Sequence, residues 1–227
     1  MGTSCVSYDN YDEPGETLKG SIVEKDTHEP FQTEVSDNGV RVKLMEYSWS
    51  DNPTPYYFTV KQDGTFNNTK IFKGDYTILP EGAFVPLESK DTVFISGTVV
   101  RNFEVEPFLK LKWMSEPVVN GNTISAQVQI TRGTANVNYQ QNVIDVYLFI
   151  NSSSPYVGNN NNDNRYSAHL TGADAQNCIG KTITLTTTGS LPAGRTYYVR
   201  AGARIDCNIE GCKRYNYNEP KTVVIPK

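Results

Sequence analysis

Apolar residues recur at every second position through most of this chain, and that regularity limits the fold more than any other feature of it. Ile124, Ala126, Val128 and Ile130 alternate with Ser125, Gln127, Gln129 and Thr131, the pattern of a strand with one face buried and one face wet. Val40, Val42 and Leu44 alternate with Arg41 and Lys43 in the same way. The same reading predicts strands at Leu18 to Val23, Tyr57 to Lys61, Tyr76 to Leu79, Val93 to Val100, Val143 to Ile150, Thr182 to Thr187, Tyr197 to Ile205 and Thr222 to Ile225. Asp63-Gly64, Lys73-Gly74, Asn120-Gly121 and Ala193-Gly194 supply turns between them. No window reads as a helix of ten or more residues. The fold class is therefore all-β, and 227 residues suffice for two domains of about 100 to 150 residues each. Two tandem β-sandwich domains are expected.

Charge suggests where they join. Residues 1–112 hold 11 Lys/Arg and 18 Asp/Glu, a net of −7, whereas residues 113–227 hold 10 and 7, a net of +3. The change falls near Glu104-Val-Glu-Pro-Phe-Leu-Lys-Leu-Lys-Trp113, where Pro107 interrupts an extended segment. This predicts an N-terminal tether over residues 1–16, a first sandwich over 17–107 and a second over 108–227. The overall charge of −4 offers nothing to a phosphate backbone, so nucleic acid is not an expected partner. The longest apolar run, around Val146 to Ile150, is strand-sized and far short of a membrane helix.

The four cysteines divide unevenly. Cys5 follows Thr3-Ser4 and precedes a polar stretch; it is either the lipid acceptor left by a trimmed lipoprotein signal or an incidental cysteine in a tail. Cys207 and Cys212 flank Asn-Ile-Glu-Gly, a four-residue turn that would set them opposite each other in a hairpin and allow a disulfide. Cys178 would then be a free, buried thiol. His28 and His169 lie far in sequence from these cysteines, so the spacing of a zinc site is missing, and no metal or cofactor is expected.

Catalytic patterns fail on inspection. No G-x-S-x-G element accompanies either histidine. Gly180-Lys181-Thr182 ends like a phosphate-binding loop, but the earlier glycine it needs falls at Ala175. No catalytic residue is assigned, and the chain is not expected to be an enzyme.

Ligand binding finds more support. Sugars are held by aromatic faces, with amides, carboxylates and guanidinium groups taking the hydroxyls, and loops at the ends of sandwiches collect such groups. In Tyr47-Ser-Trp49-Ser-Asp-Asn-Pro-Thr-Pro-Tyr56-Tyr57, Pro53 and Pro55 stiffen the path between Trp49 and the pair Tyr56 and Tyr57; the alternative is a Trp that packs back on its own domain. Trp113, at the junction, is a further aromatic candidate. Asn151 to Tyr166 is a polar loop bracketed by Tyr156 and Tyr166, whose amides and Asp163 could take hydroxyls or a calcium ion, though one carboxylate is thin for calcium; the alternative is a mobile loop with no ligand. On the late hairpin, Tyr197, Val199, Ala201 and Ala203 are expected to face the core. Tyr198, Arg200, Gly202 and Arg204 are expected to face outward, beside Lys213, Tyr215 and Tyr217.

Two local resemblances bear on the fold. Leu191-Pro-Ala-Gly-Arg-Thr-Tyr197 is similar to the tyrosine corner of immunoglobulin-like and fibronectin type III sandwiches, in which the tyrosine hydroxyl bonds back to the preceding loop. Gly20 to Gln32, Gly39 to Leu44, Lys61-Gln-Asp-Gly-Thr-Phe66 and Phe72-Lys-Gly-Asp-Tyr76 resemble transthyretin-like or carboxypeptidase-regulatory sandwiches. That resemblance makes Phe66 and Tyr76 core residues. Over nearly the whole chain, Asp9 to Pro14, Trp49 to Pro55, Val60 to Lys70 and Tyr197 to Arg204 resemble a two-domain lipoprotein family of Bacteroidetes whose function is unknown. What the resemblance implies is an outer-membrane lipoprotein, anchored through Cys5 and facing the cell exterior. It further implies a place beside a starch-utilisation-type porin and its glycan-binding partners. The expected ligand is a polysaccharide or oligosaccharide, and the alternative role is a spacer or protein-interaction module of that complex.

Overall fold

A computed structural model describes residues 13–88 and 92–227; Cys5 and most of the expected tether lie outside the described residues. Two sheets form the N-terminal sandwich. In the first, β1 (Glu16–Glu24) runs antiparallel to β4 (Thr65–Ile71) and parallel to both β7 (Thr98–Val100) and β8 (Phe103–Val105). In the second, β3 (Tyr56–Thr59), β2 (Arg41–Glu46), β5 (Gly74–Glu81) and β6 (Val93–Ile95) follow one another in that order, each antiparallel to the next. The alternation of Val40, Val42 and Leu44 puts all three into the core, with Leu18, Ile22, Ile71 and Ile78. Phe66 and Tyr76 join them, as the resemblance to transthyretin-like sandwiches implies. The expected strand over Val93 to Val100 is two strands, because Gly97 turns the chain with φ 69°.

The C-terminal sandwich also has two sheets. β11 (Thr123–Arg132) pairs with β9 (Leu109–Trp113), β10 (Val118–Asn120) and β14 (Thr182–Thr186). β15 (Thr196–Ile205) pairs with β12 (Val143–Asn151), β16 (Asn216–Tyr217) and β17 (Lys221–Val224), and β12 also carries β13 (Ala168–Thr171). Ile124, Ala126, Val128 and Ile130 from one sheet meet Val146, Leu148, Ile150, Val199, Ala201 and Ala203 from the other in a single core. The Tyr197 hydroxyl donates to Pro192 O at 3.2 Å, the bond that defines a tyrosine corner.

The sandwiches share a polar and apolar seam. Ala83 packs into the C-terminal core while its neighbour Phe84 packs into the N-terminal one. Phe84 bridges Pro107 in antiparallel fashion, and Phe108 N donates to Ala83 O at 3.1 Å. Asn216 crosses between these segments, its Nδ2 donating to Ala83 O at 2.8 Å and its Oδ1 accepting from Leu109 N at 3.0 Å.

Candidate functional site

The late hairpin does not face water. On β12 and β15 the residues between the core positions form a second packed surface, in which Phe149, Val157, Tyr215 and Tyr217 are buried and Tyr147 and Tyr198 lean on them. Arg200, expected outside, is 0% exposed. Its Nε donates to Asn218 O at 2.7 Å, and its Nη1 donates to Thr33 O of the N-terminal sandwich at 2.8 Å and to Val157 O at 3.3 Å. The guanidinium also lies 4.5 Å from the Tyr217 ring centroid. Burial weakens the hold of Arg200 on its proton, to about 10, with Tyr217 and Glu34 acting in the opposite sense; it remains charged at neutral pH. Alternation correctly separates the two faces of β15, but it does not reveal that a second layer covers the outer one. Gly202 contributes by omission: a Cβ there would meet Phe149 and Tyr217 ring atoms at 2.7 and 2.9 Å, so only glycine lets both rings close over the strand.

The asparagine-rich loop is part of that cover. Asn160 N donates to Glu34 Oε2 at 3.1 Å, Asn160 Nδ2 donates to Ser36 Oγ at 2.9 Å, and Asn38 Nδ2 donates to Asn160 Oδ1 at 2.7 Å. Asn151 and Asn162 bond back to the loop's own carbonyls, while Asp163 is occupied by Arg165 at 2.7 Å. Asn160 and Asn38 tie the two sandwiches together, and the other loop amides are spent on the loop itself. Glu34 sits behind them, its carboxyl pushed up by burial and only partly relieved by Asn160 N–H, Tyr217 and Arg200. Its Oε1 has no hydrogen-bond partner among the described residues.

Arg204 also departs from its expected role. Its Nε donates to Asp145 Oδ2 at 2.5 Å, and His169 Nε2 lies 2.8 Å from Asp145 Oδ1. Burial pushes the Asp145 carboxyl up, but bonds from His169 and Arg204 outweigh it and keep the group below the usual range. The His169 ring stacks 3.7 Å from Tyr147. Tyr166 leans on the C-terminal core beneath Arg165. Trp113 packs at the core's edge and donates Nε1 to Glu219 O at 2.8 Å, so it acts as a pin.

The Cys207–Cys212 bridge is not formed; Cys178, Cys207 and Cys212 are buried thiols. The expected hairpin does not exist at that point, since β15 ends at Ile205 and β16 starts only at Asn216. The intervening segment instead crosses to the N-terminal sandwich, where a Cβ on Gly211 would meet the Glu81 carboxylate at 2.6 Å. Burial pushes the Cys212 thiol up to about 11, which keeps it protonated and unreactive at neutral pH.

A different surface stays open. Trp49 is 73% exposed and Tyr56 50% exposed. Trp49 Nε1 donates to Glu46 Oε1 at 3.0 Å, which fixes the indole beside β2. Next to it, between the edges of the two N-terminal sheets, runs a groove of about 280 Å³. Leu44, Ile71 and Tyr76 line it together with Tyr56 and the exposed Phe72, and Glu46 and Lys70 supply opposite charges. The Tyr56 hydroxyl accepts from Asn68 Nδ2 at 3.2 Å. Tyr57, next in sequence, points to the other side of β3, where the Arg41 guanidinium stacks 4.1 Å from its ring. Phe72 escaped the sequence reading because it belongs to a turn motif whose neighbours are core residues.

Among curated proteins no match is found. Residues 16–106 match the family model described as "Protein of unknown function (DUF3823) N-terminal domain". A solved DUF3823 family protein from Bacteroides uniformis is 35% identical, with a TM-score of 0.84, over 94% of this chain and 100% of that one. The chain belongs to the DUF3823 family. A second Bacteroides uniformis structure, described as a "putative carbohydrate binding protein", is 26% identical with a TM-score of 0.77 over 93% of this chain and 100% of that one. A DUF3823 family protein from Parabacteroides merdae, 18% identical with a TM-score of 0.68 over 93% of this chain and 100% of that one, shares the fold. Each is matched across both sandwiches, so the DUF3823 architecture is the two-sandwich unit described above.

Proposed function

We propose that this DUF3823 protein is a non-catalytic carbohydrate-binding protein, and that the groove beside Trp49, Tyr56 and Phe72 holds the glycan. The observation that carries the reading is Trp49 itself, a large indole held by Glu46 with most of its surface in water. Together with the exposed Tyr56 and Phe72 it adds to an aromatic patch open to water, and such patches mark binding sites. Aromatic faces suit the C–H side of a pyranose, while Glu46, Lys70 and the Tyr56 hydroxyl are placed to take its hydroxyls. The relative described as carbohydrate binding adds support at the level of the whole fold. The setting we propose is the outer surface of the outer membrane, with a lipid on Cys5 and a porin complex as neighbour. Several acyl chains would be needed for stable anchoring.

Affinity electrophoresis against a panel of polysaccharides tests the binding. Retardation by at least one polysaccharide that is lost in Trp49→Ala supports it, and no retardation by any of them rejects it. Mass spectrometry of the native protein tests the acyl group on Cys5.

A further inference from the structure

The seam between the sandwiches leaves an open cleft of about 490 Å³, a size typical of small-molecule sites. Gln32, Val35, Gln62 and Asp63 line it from the N-terminal sandwich, and Tyr156 and Glu219 line it from the C-terminal one. None of these residues belongs to the Trp49 groove. Tyr156 is 57% exposed and Val35 46% exposed, so the lining offers an apolar surface from each sandwich.

The main chain of much of the lining is fixed by bonds made elsewhere. Val35 sits between Glu34 and Ser36, both tied to Asn160. Asp63 Oδ1 accepts from Thr65 N at 3.0 Å and Thr65 Oγ1 at 2.7 Å, which closes the hairpin on which Gln62 also lies. Gly64 follows with φ 78°, where any side chain would strain the turn and strike Phe31 O. Tyr156 N donates to Ser154 Oγ at 3.2 Å and Tyr156 O accepts from Asn161 Nδ2 at 2.7 Å. Glu219 O is held by the Trp113 indole. A ligand entering this cleft therefore meets a backbone that is largely ordered already, and that saving favours affinity.

The chemistry of the lining narrows the ligand. Gln32 and Gln62 bring amides held by long bonds of 3.4 Å: Gln32 donates to Pro30 O and accepts from Arg200, and Gln62 donates to Pro155 O across the seam. Asp63 and Glu219 offer carboxylates, and Lys61 supplies the cation. Two carboxylates against one ammonium disfavour an anionic guest. We propose that the seam cleft is a second saccharide site, specific for uncharged oligosaccharides. A sugar ring lies against Tyr156, and Asp63, Glu219 and Gln32 take its hydroxyls. The choice of ligand class rests on the carbohydrate reading above, but the location and the charge preference do not.

The test uses the full chain carrying Trp49→Ala and Tyr56→Ala, which removes the groove's platform and leaves the seam untouched. Calorimetric titration with cellohexaose, maltohexaose, xylohexaose and mannohexaose, and with pentagalacturonate as the acidic counterpart, is the measurement. The expected result is binding of at least one neutral hexaose, weakened about ten-fold or more when Tyr156→Ala is added, with no binding of pentagalacturonate. Tyr156→Ala removes an exposed ring, so folding is expected to survive; circular dichroism checks it. If the double variant binds none of the neutral hexaoses, the seam site is overturned, and the groove reading is then judged on the wild-type chain alone. Binding that Tyr156→Ala leaves unchanged, or that favours pentagalacturonate, overturns it as well.

Discussion

Two aromatic surfaces of this molecule are made of the same kinds of residue and have opposite fates. On the outer face of β12 and β15, Phe149, Tyr215 and Tyr217 gather round Arg200 and are sealed by the asparagine-rich loop and by Thr33 of the other sandwich. Beside β2 and β3, Trp49, Tyr56 and Phe72 gather round Glu46 and Lys70 and remain in water. The difference lies in what surrounds each set. Arg200 finds carbonyls from three separate segments at hydrogen-bond distance, and burying a guanidinium is tolerable only with such partners. Trp49 and Tyr56 instead keep half or more of their surface in water. Residue type therefore marks a surface that will be covered by something, and the rest of the chain decides whether the cover is internal.

The largest way to break the comparison is Arg200→Ala. It leaves Thr33 O, Asn218 O and Val157 O facing a hole, and removal of one partner from a buried charged network typically costs about 3–5 kcal/mol. Urea unfolding is expected to show a loss on that scale, whereas Trp49→Ala shifts stability by less than about 0.5 kcal/mol. Equal effects from the two substitutions would mean that the two surfaces do not differ in the way their exposure indicates.

Much of this contrast was not legible in the sequence. Alternation is a local signal, and it correctly separated Tyr197, Val199, Ala201 and Ala203 from Tyr198, Arg200, Gly202 and Arg204. It identified core positions of both sandwiches through Val40, Val42 and Leu44 and through the Ile124 to Ile130 series; Phe66 and Tyr76 came instead from the resemblance to transthyretin-like sandwiches, and the turn before Tyr197 announced the corner bond. Whether an outer face is covered depends on residues far away in sequence, such as Thr33 and Asn160, and no window of strand length contains that information. The same limit explains the cysteines. Spacing suggested a hairpin across Cys207 and Cys212, but the segment is drawn towards Glu81 and Gly82 in the N-terminal sandwich. The exposure of Trp49 and Tyr56 fits a proline-stiffened loop because that stiffness is itself a local property.

The open surface is sharpened by binding. Trp49→Ala is expected to weaken glycan binding by about ten-fold or more, near 1.4 kcal/mol, with the unfolding midpoint nearly unchanged. Arg204→Ala serves as the contrasting variant: it breaks the contact with Asp145 and is expected to lower stability without a specific effect on binding. A smaller and purely structural effect is expected from Tyr197→Phe. Loss of the hydroxyl bond to Pro192 O costs about 1 kcal/mol, which for a domain of this size lowers the melting temperature by roughly 2–8 °C.

The smallest expected effect concerns what holds the closed surface shut. Glu34 approaches Arg200 in the seam, yet burial raises its carboxyl above the ordinary value of 4.5 by more than the bonds from Asn160 and Tyr217 and the charge of Arg200 lower it. The folded chain thus keeps that proton to a higher pH than the unfolded chain does. Its contribution to stability is fully present below the unfolded value and is lost as pH rises through the folded one. Glu106, Asp145 and Asp163 behave oppositely, since their carboxyls are lowered and what they contribute is lost as pH falls. Glu34→Gln keeps an oxygen acceptor and removes the charge. The variant is therefore expected to be more stable than the wild type at pH 8, by under about 1 kcal/mol, and the gap should shrink as pH falls towards 4.5. If Glu34→Gln instead destabilises the chain at pH 8, attraction to Arg200 outweighs the cost of burial, and the seam is closed by an ion pair. The measured sign decides whether the covered surface is held by the carbonyls around Arg200 or by the charge opposite it.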